Sequence, residues 1–380
     1  MRHILPLLAI FFFVGCTSYK PMVNRKLKDW ATAVPPAEKP VYKIFLSGDG
    51  GEPLFNGTDP YIIALKKHLE ECDERSALIF LGDNVYPAGL PDTSNPKRKT
   101  YEQVLLEQIA MYKNFKGKVF WVAGNHDWDE GHEHGLTNRL AQERFVELHS
   151  QRGNIYFPDS GCPGPAAIDL TDDIVLLLLD TQWWLHKYEK PQNKELCGVS
   201  TEDEMTAALS AELEKYKGKN VFVAAHHPME TCGPHGGKYP WRSHLFPLTE
   251  FNRKLWVPLP VLGTAYVVAR KSARYIQDLP NKHYKRMRFA FEGAFEKYPG
   301  VTYVNGHDHS LQLIRKNRVN YITSGSASQV SHVVKKPYLD FGLAGNGYAV
   351  VSLYANGEKW VEFFQTSAAG RTLVFREKLN

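Results

Sequence analysis

Five times along this chain of 380 residues a short apolar run gives way to Gly or Ala and then at once to a residue able to bind a metal: Gly48-Asp49, Gly82-Asp83, Gly124-Asn125, Ala225-His226 and Gly306-His307. This recurrence constrains the fold more than any other feature. A short apolar run bounded by turn residues reads as a buried strand. In α/β sheets, ligands bind beyond the carboxyl ends of the strands. One strand-end Asp is ordinarily a turn or helix cap, and one such His is ordinarily structural. Five together point to a single polar site, and the small residue before each leaves room for the backbone to turn. Further donors follow in the same loops: Tyr86, His126, His227 and His309. Carboxylates, an amide oxygen, imidazoles and a phenol suit first-row metals rather than calcium alone. One carboxylate shared by two cations sets them about 3.5–4 Å apart, the spacing of two-metal phosphoryl chemistry.

The stretches between these loops alternate. Strands are expected over 41–47, 77–81 and 118–123, and helices over 60–72, 101–112 and 136–149. Three βα units in a row imply a mostly parallel sheet covered by helices. Further strands are expected over 174–179, 220–225 and 301–305. After residue 310 short strands follow one another (311–316, 318–323, 348–355 and 360–365), which reads as a second, more antiparallel sheet. Residues 228–300 break the rhythm and are rich in aromatic and basic side chains, with an apolar run from Leu255 to Val268 interrupted by Pro258, Pro260 and Gly263. They read as a packed lid or insertion. A membrane-surface contact is the sharper alternative, because Arg270, Lys271 and Arg274 adjoin the apolar run.

The first residues place the chain in a compartment. Met1-Arg2-His3 is a basic start, and residues 4–14 are almost wholly apolar: too short for a spanning helix, but suited to a secretory signal. The run ends in Phe13-Val14-Gly15-Cys16, which resembles a bacterial lipobox with Cys16 as the lipidated residue. An exported lipoprotein is therefore expected, anchored through an N-terminal lipid on the periplasmic or outer-membrane side. Residues 17–40, polar and ending in Pro35-Pro36 and Pro40, read as a flexible tether, so the folded domain is expected over 41–380. In an oxidising compartment Cys72, Cys162, Cys197 and Cys232 allow one or two disulfides, and spacing leaves the pairing open. No Cys-x-x-Cys pair supports a zinc–thiolate site. With a net charge of +5 and no dense basic stripe, no nucleic-acid partner is expected.

Taken in order, Gly48-Asp49-Gly50-Gly51, Gly82-Asp83-Asn84-Val85-Tyr86, Gly124-Asn125-His126-Asp127, Ala225-His226-His227-Pro228 and Gly306-His307-Asp308-His309 resemble the motifs of the calcineurin-like metallophosphoesterases. Tyr86, with Gly51 where many members have a His, makes the chain most similar to the purple acid phosphatases of the tartrate-resistant type. The resemblance implies a four-layer α/β/β/α sandwich of two mixed β-sheets flanked by helices. It implies Asp49, Asp83, Tyr86 and His309 on one metal, an Fe(III), because a phenolate is a hard anionic donor. It implies Asp83, Asn125, His226 and His307 on a divalent Fe, Zn or Mn, with Asp83 bridging and a metal-held hydroxide attacking phosphorus in line. His126 and His235 become the candidate catalytic residues, facing the substrate rather than the metals. Asp127 and Asp308 are expected to orient their neighbours, and His132 and His134 to be solvated. Two features depart from the family pattern: His227 stands where many relatives have Tyr, and Asp49-Gly50-Gly51 is one residue shorter than the usual first motif.

The leading expectation is a phosphomonoesterase of the acid phosphatase type acting on a phosphorylated small molecule. A phosphodiesterase or nucleotide hydrolase on the same site is the alternative within enzymes, and a non-catalytic binding lipoprotein the alternative outside them. The complete donor set argues against the last.

Overall fold

Strands whose two faces are both apolar must be covered on both sides, and that requirement builds the layers. In the computed structural model, which describes residues 20–250, 254–272 and 275–380, Ile44 and Leu46 face one hydrophobic cluster and Phe45 between them faces another. Along the next strand Ala77, Ile79 and Leu81 alternate in the same way with Leu78 and Phe80. The first cluster lies between two sheets and the second between the sheets and the helices, giving the expected α/β/β/α arrangement.

The elements in chain order are β1 (Met22–Val23), β2 (Tyr42–Ser47), α1 (Pro60–Glu70), β3 (Ser76–Leu81), α2 (Arg98–Met111), β4 (Lys118–Val122), α3 (Gly135–Ser150), β5 (Ala166–Thr171), β6 (Ile174–Leu178), α4 (Thr181–Leu185), α5 (Lys194–Cys197), α6 (Glu202–Lys215), β7 (Asn220–Ala224), α7 (Trp241–Leu245), α8 (Pro260–Lys271), α9 (Lys282–Phe295), β8 (Thr302–Asn305), β9 (Leu311–Lys316), β10 (Val319–Ser324), β11 (Leu339–Leu343), β12 (Gly347–Leu353), β13 (Lys359–Ser367) and β14 (Gly370–Lys378). One sheet has the order β14-β13-β12-β2-β3-β4, the other β1-β11-β9-β10-β8-β7-β6-β5. Both are mixed. Strands β2, β3 and β4 run parallel to one another, as do β6, β7, β8 and β10.

Three expectations change. The strands after residue 310 do not form a sheet of their own. β9, β10 and β11 extend the sheet of β6–β8, whereas β12 pairs antiparallel with β2 and carries β13 and β14 into the first sheet. Residues 17–40 are not a free tether in their described part. Met22 and Val23 pair with Gly342 and Phe341, and the Trp30 ring packs 5.8 Å from that of Phe375. Burial of Val23, Leu27 and Trp30 against the inter-sheet cluster outweighs the extended preference of the Pro-rich segment that follows. Residues 1–16, the expected signal segment with Cys16, lie outside the described residues.

The third change concerns residues 228–300. Helix α9 buries Tyr284, Met287 and Phe291, an i, i+3, i+7 stripe, and is the crossover helix between parallel β7 and β8. Only about 234–280 stands apart as a flap. Among the cysteines, Cys162 pairs with Cys197, while Cys72 and Cys232 stay reduced.

Candidate metal centre

Because β2, β3 and β4 are parallel in one sheet and β7 and β8 in the other, their five carboxyl ends converge at one edge of the sandwich. Backbone bonds stitch the loops together there: Asp49 N–H donates to Gly82 O (2.9 Å), Gly48 N–H to Ser324 O (2.8 Å) and Gly306 N–H to His226 O (3.0 Å). Asp49, Asp83 and His307 adopt left-handed φ of 60°, 54° and 68°. Each costs a non-Gly residue on the order of 1 kcal/mol, strain of the kind that gathers at functional sites. The small residues are also required by contact. A methyl on Gly124 would come within 2.2 Å of Asp83 Oδ1, and one on Gly306 within 2.5 Å of Asp49 Oδ2.

The expected ligands assemble in two groups. In the first, Tyr86 Oη lies 3.2 Å from Asp49 Oδ1, 3.4 Å from Asp83 Oδ2 and 3.1 Å from His309 Nε2. In the second, His226 Nε2 lies 3.0 Å from Asn125 Oδ1, 3.1 Å from His307 Nδ1 and 3.3 Å from Asp83 Oδ2. Asp83 Oδ2 thus belongs to both. Donor atoms that share one ion at about 2.0–2.2 Å stand roughly 3 Å from one another, so both groups fit a first-row ion. Among the described residues Asp49, Asp83 and His226 form one of two groups of buried metal-type donors whose ligand atoms all lie within 4.8 Å of one another; the other is His226, His227 and His307.

The tautomers agree. His226 Nδ1–H donates to Leu81 O (2.8 Å), which leaves Nε2 as the free donor atom; His307 Nε2–H donates to Gln277 O (2.8 Å), which leaves Nδ1. The outer carboxylate oxygens are held by backbone: His126 N–H donates to Asp83 Oδ1 (2.9 Å) and His307 N–H to Asp49 Oδ2 (2.9 Å).

Electrostatics point the same way. Burial opposes charge on His226, yet Asp83 and Asp49 raise its pKa to about 9, the effect of negative charge concentrated beside it. Burial together with Asp49 and Asp83 holds the Tyr86 phenol protonated well above its usual range, so a phenolate there requires a metal beside it. Burial keeps His307 well below the usual imidazole range and so available as a neutral donor.

The two candidate catalytic histidines flank the metal donors at the mouth. Their side chains are 19% and 18% exposed, against 0–1% for His226 and Asp83. His126 Nδ1 meets Pro87 O and Glu130 Oε1, with its Nε2 3.9 Å from Asp83 Oδ2. His235 Nδ1 bonds Asp278 Oδ1 (2.9 Å), and its ring lies 3.9 Å from that of His307. Burial resists a charge on His235, but Asp278 and Asp308 outweigh it and raise its pKa.

His227 lies beside His226 and His307, but both its nitrogens are taken. Gln277 Nε2 donates to Gln182, so Gln277 Oε1 accepts from His227 Nε2–H (2.8 Å) and His227 Nδ1 accepts from Thr181 Oγ1 (2.8 Å). It is a buried, neutral wall of the site. Asp127 accepts from the backbone N–H groups of Gly124, Asn84 and Val85 and from Gln142 Nε2, tying the second and third loops together. Asp308 accepts from Thr231 Oγ1 and His235 N–H. His132 and His134 are exposed.

Sequence reasoning missed Gln277 and Asp278, whose polar pair in an irregular segment gave no signal. It also passed over Asp180, which follows the apolar run of β6 as the other strand-end residues do. Asp180 accepts from Trp128 Nε1 (2.9 Å) and caps α4 rather than joining the donors.

The model of the calcineurin-like phosphoesterase family matches residues 42–311. Purple acid phosphatase 7 of Arabidopsis thaliana is 23% identical over 306 residues, 78% of this chain and 74% of that one. Tartrate-resistant acid phosphatase type 5 of Oryctolagus cuniculus is 22% identical over 258 residues, 66% of this chain and 61% of its own length. The purple acid phosphatase PPD1 of Lupinus luteus seeds superposes with a TM-score of 0.51 at 10% identity over 90% of this chain and 54% of that one, a likeness of fold.

Proposed function

The chain belongs to the calcineurin-like phosphoesterase family, and from that premise we propose that it is a phosphomonoesterase of the purple acid phosphatase type, exported as a lipoprotein anchored at Cys16. Membership makes it a phosphoester hydrolase with a metal-binding group of buried donors. The finer reading rests on one observation, the Tyr86 phenol set among Asp49, Asp83 and His309. A phenolate in that position suits Fe(III), and the imidazole-rich second group suits a divalent Fe, Zn or Mn.

When bound, two such ions acidify water and take up charge on the phosphate oxygens. The chain's own residues do the rest. Asp83 and Asp49, fixed by backbone N–H groups, keep the donor geometry from relaxing. His235 is aimed by Asp278 through Nδ1, leaving Nε2 as the atom to hold a phosphate oxygen or to protonate the leaving alkoxide. His126 stands beside Tyr86, with ring centroids 4.5 Å apart. The lipoprotein reading is supported by the order basic start, apolar run, Gly15 and Cys16.

Turnover of p-nitrophenyl phosphate against its bis ester tests the reaction class. Preference for the monoester supports the proposal, and preference for the diester replaces it with the phosphodiesterase reading. Accumulation of the precursor under globomycin tests the anchor.

A further inference from the structure

The flap at 234–280 is both basic and apolar at its surface. Between Pro234 and Pro280 the sequence has seven Lys or Arg and two acidic residues, Glu250 and Asp278, a net +5. The whole chain carries +5, so the rest of the molecule is balanced. Neither acid faces outward. Asp278 is fully buried against Arg270 and His235, and Glu250 is 9% exposed against His332 and Ser243.

Helix α8 turns its apolar residues the wrong way for a protein in water. Gly263 and Val267 face inward, and Gly263 packs so closely on α7 that a methyl there would reach 2.3 Å from His244 O. The opposite side carries Val261 at 81% exposure, Leu262 at 63% and Val268 at 57%, with Ala265 and Ala269 between them. No charged residue occurs from Pro260 to Ala269. Trp241 on α7 and Trp256 before α8 are 64% and 40% exposed, and they belong to the same unit: Leu259 N–H bonds Leu245 O (2.8 Å), and Trp256 packs 5.2 Å from Phe246. Lys254 and Lys271 stand exposed at the two ends.

A face that is apolar in the middle, has tryptophans beside it and is ringed by cations matches the interface of an anionic bilayer. A second copy of the chain is disfavoured, since two flaps of net +5 repel. The twelve residues of α8 are too few to span a bilayer, which needs about 20, so the helix lies on the surface.

We propose that the α7–α8 flap is a membrane-docking element that seats Val261, Leu262, Val268, Trp241 and Trp256 in the headgroup region of an anionic lipid surface. The flap's two roots carry His235 and Gln277-Asp278, so docking brings the mouth of the metal centre to the bilayer. This rests on the flap alone, not on hydrolysis or on a lipid at Cys16.

Tryptophan fluorescence tests it on the full chain. Of eight tryptophans only Trp241 and Trp256 are exposed, and the leader to Cys16 contains none. Vesicles of brominated phosphatidylcholine and phosphatidylglycerol in equal parts are expected to quench the protein. Quenching is expected to vanish in W241F/W256F and in V261D/L262D/V268D at unchanged unfolding temperature. Affinity is expected to fall about fivefold for each of Lys254 and Lys271 neutralised. A chain that sediments with the vesicles through its leader but shows no more quenching than with unbrominated lipid would overturn the proposal. So would an apolar face that becomes covered without lipid as protein concentration rises, which would mean a second copy.

Discussion

Gly124 lies so close to Asp83 that a single methyl on its Cα would stand 2.2 Å from Asp83 Oδ1. The third loop therefore fixes the carboxylate that both donor groups share. Gly124→Ala must displace Asp83 or the loop. Metal affinity is expected to fall by at least the 10–100-fold typical of a lost supporting contact, with the far-UV circular dichroism unchanged. Titration with zinc into the metal-free protein measures it.

The His126 and His235 side chains stand at the mouth of the site, beside the donors Tyr86 and His307 rather than among them. Replacing either by Ala is expected to lower kcat by about 10²–10⁴-fold, the usual worth of a positioned acid or base, while both metals stay bound. Asp278→Asn is expected to reproduce part of the His235 effect and to move the alkaline limb of the pH profile to lower pH, because the Asp278 carboxylate sustains the raised pKa of His235, the proton donor. Loss of metal in the His variants would move these residues into the donor set.

The Cys162–Cys197 bridge closes a loop with a separation of 35 residues. Its removal by Cys162→Ala/Cys197→Ala is expected to cost about 4 kcal/mol. Urea unfolding with and without reductant reads the difference, and the double variant is expected to be insensitive to reductant.

His68 is buried against Tyr348 Oη (2.8 Å), and burial, with help from Arg371 and Lys43, lowers its pKa from 6.5 to about 3. The unfolded chain takes up this proton below about 6.5, while the folded chain refuses it until about 3. Its contribution to stability is thus complete above pH 6.5 and lost progressively as pH falls towards 3. His68→Gln, which keeps a partner for Tyr348, is expected to flatten the fall in unfolding temperature across that window. An unchanged slope would mean that other groups, such as His186 (lowered to about 4 by burial), govern acid stability.

The five loops could be read in advance because their information is local. A buried strand, a small residue and a donor are consecutive, and parallel strands bring their carboxyl ends to one edge. Sheet membership of the late strands could not be read. β12 finds β2 some 300 residues earlier through antiparallel pairing that no local pattern encodes. The docking of residues 22–32 was hidden for the same reason, since Trp30 looks like part of a polar leader until Phe375 is beside it. Helix α9 was legible in principle, because Tyr284, Met287 and Phe291 repeat at helical spacing, but the aromatic run around it masked the stripe. Gln277 was not legible at all. Its backbone carbonyl sets the His307 tautomer and its side chain sets that of His227, and neither contact leaves a mark in the sequence.

The visible absorption spectrum of the purified protein, read beside its metal content and compared with that of Tyr86→Phe, tests the two-metal reading most directly. Two ions per chain, one of them iron, and a phenolate-to-iron charge-transfer band that disappears in Tyr86→Phe are expected. A colourless, iron-free protein that hydrolyses phosphoesters at full rate would contradict it.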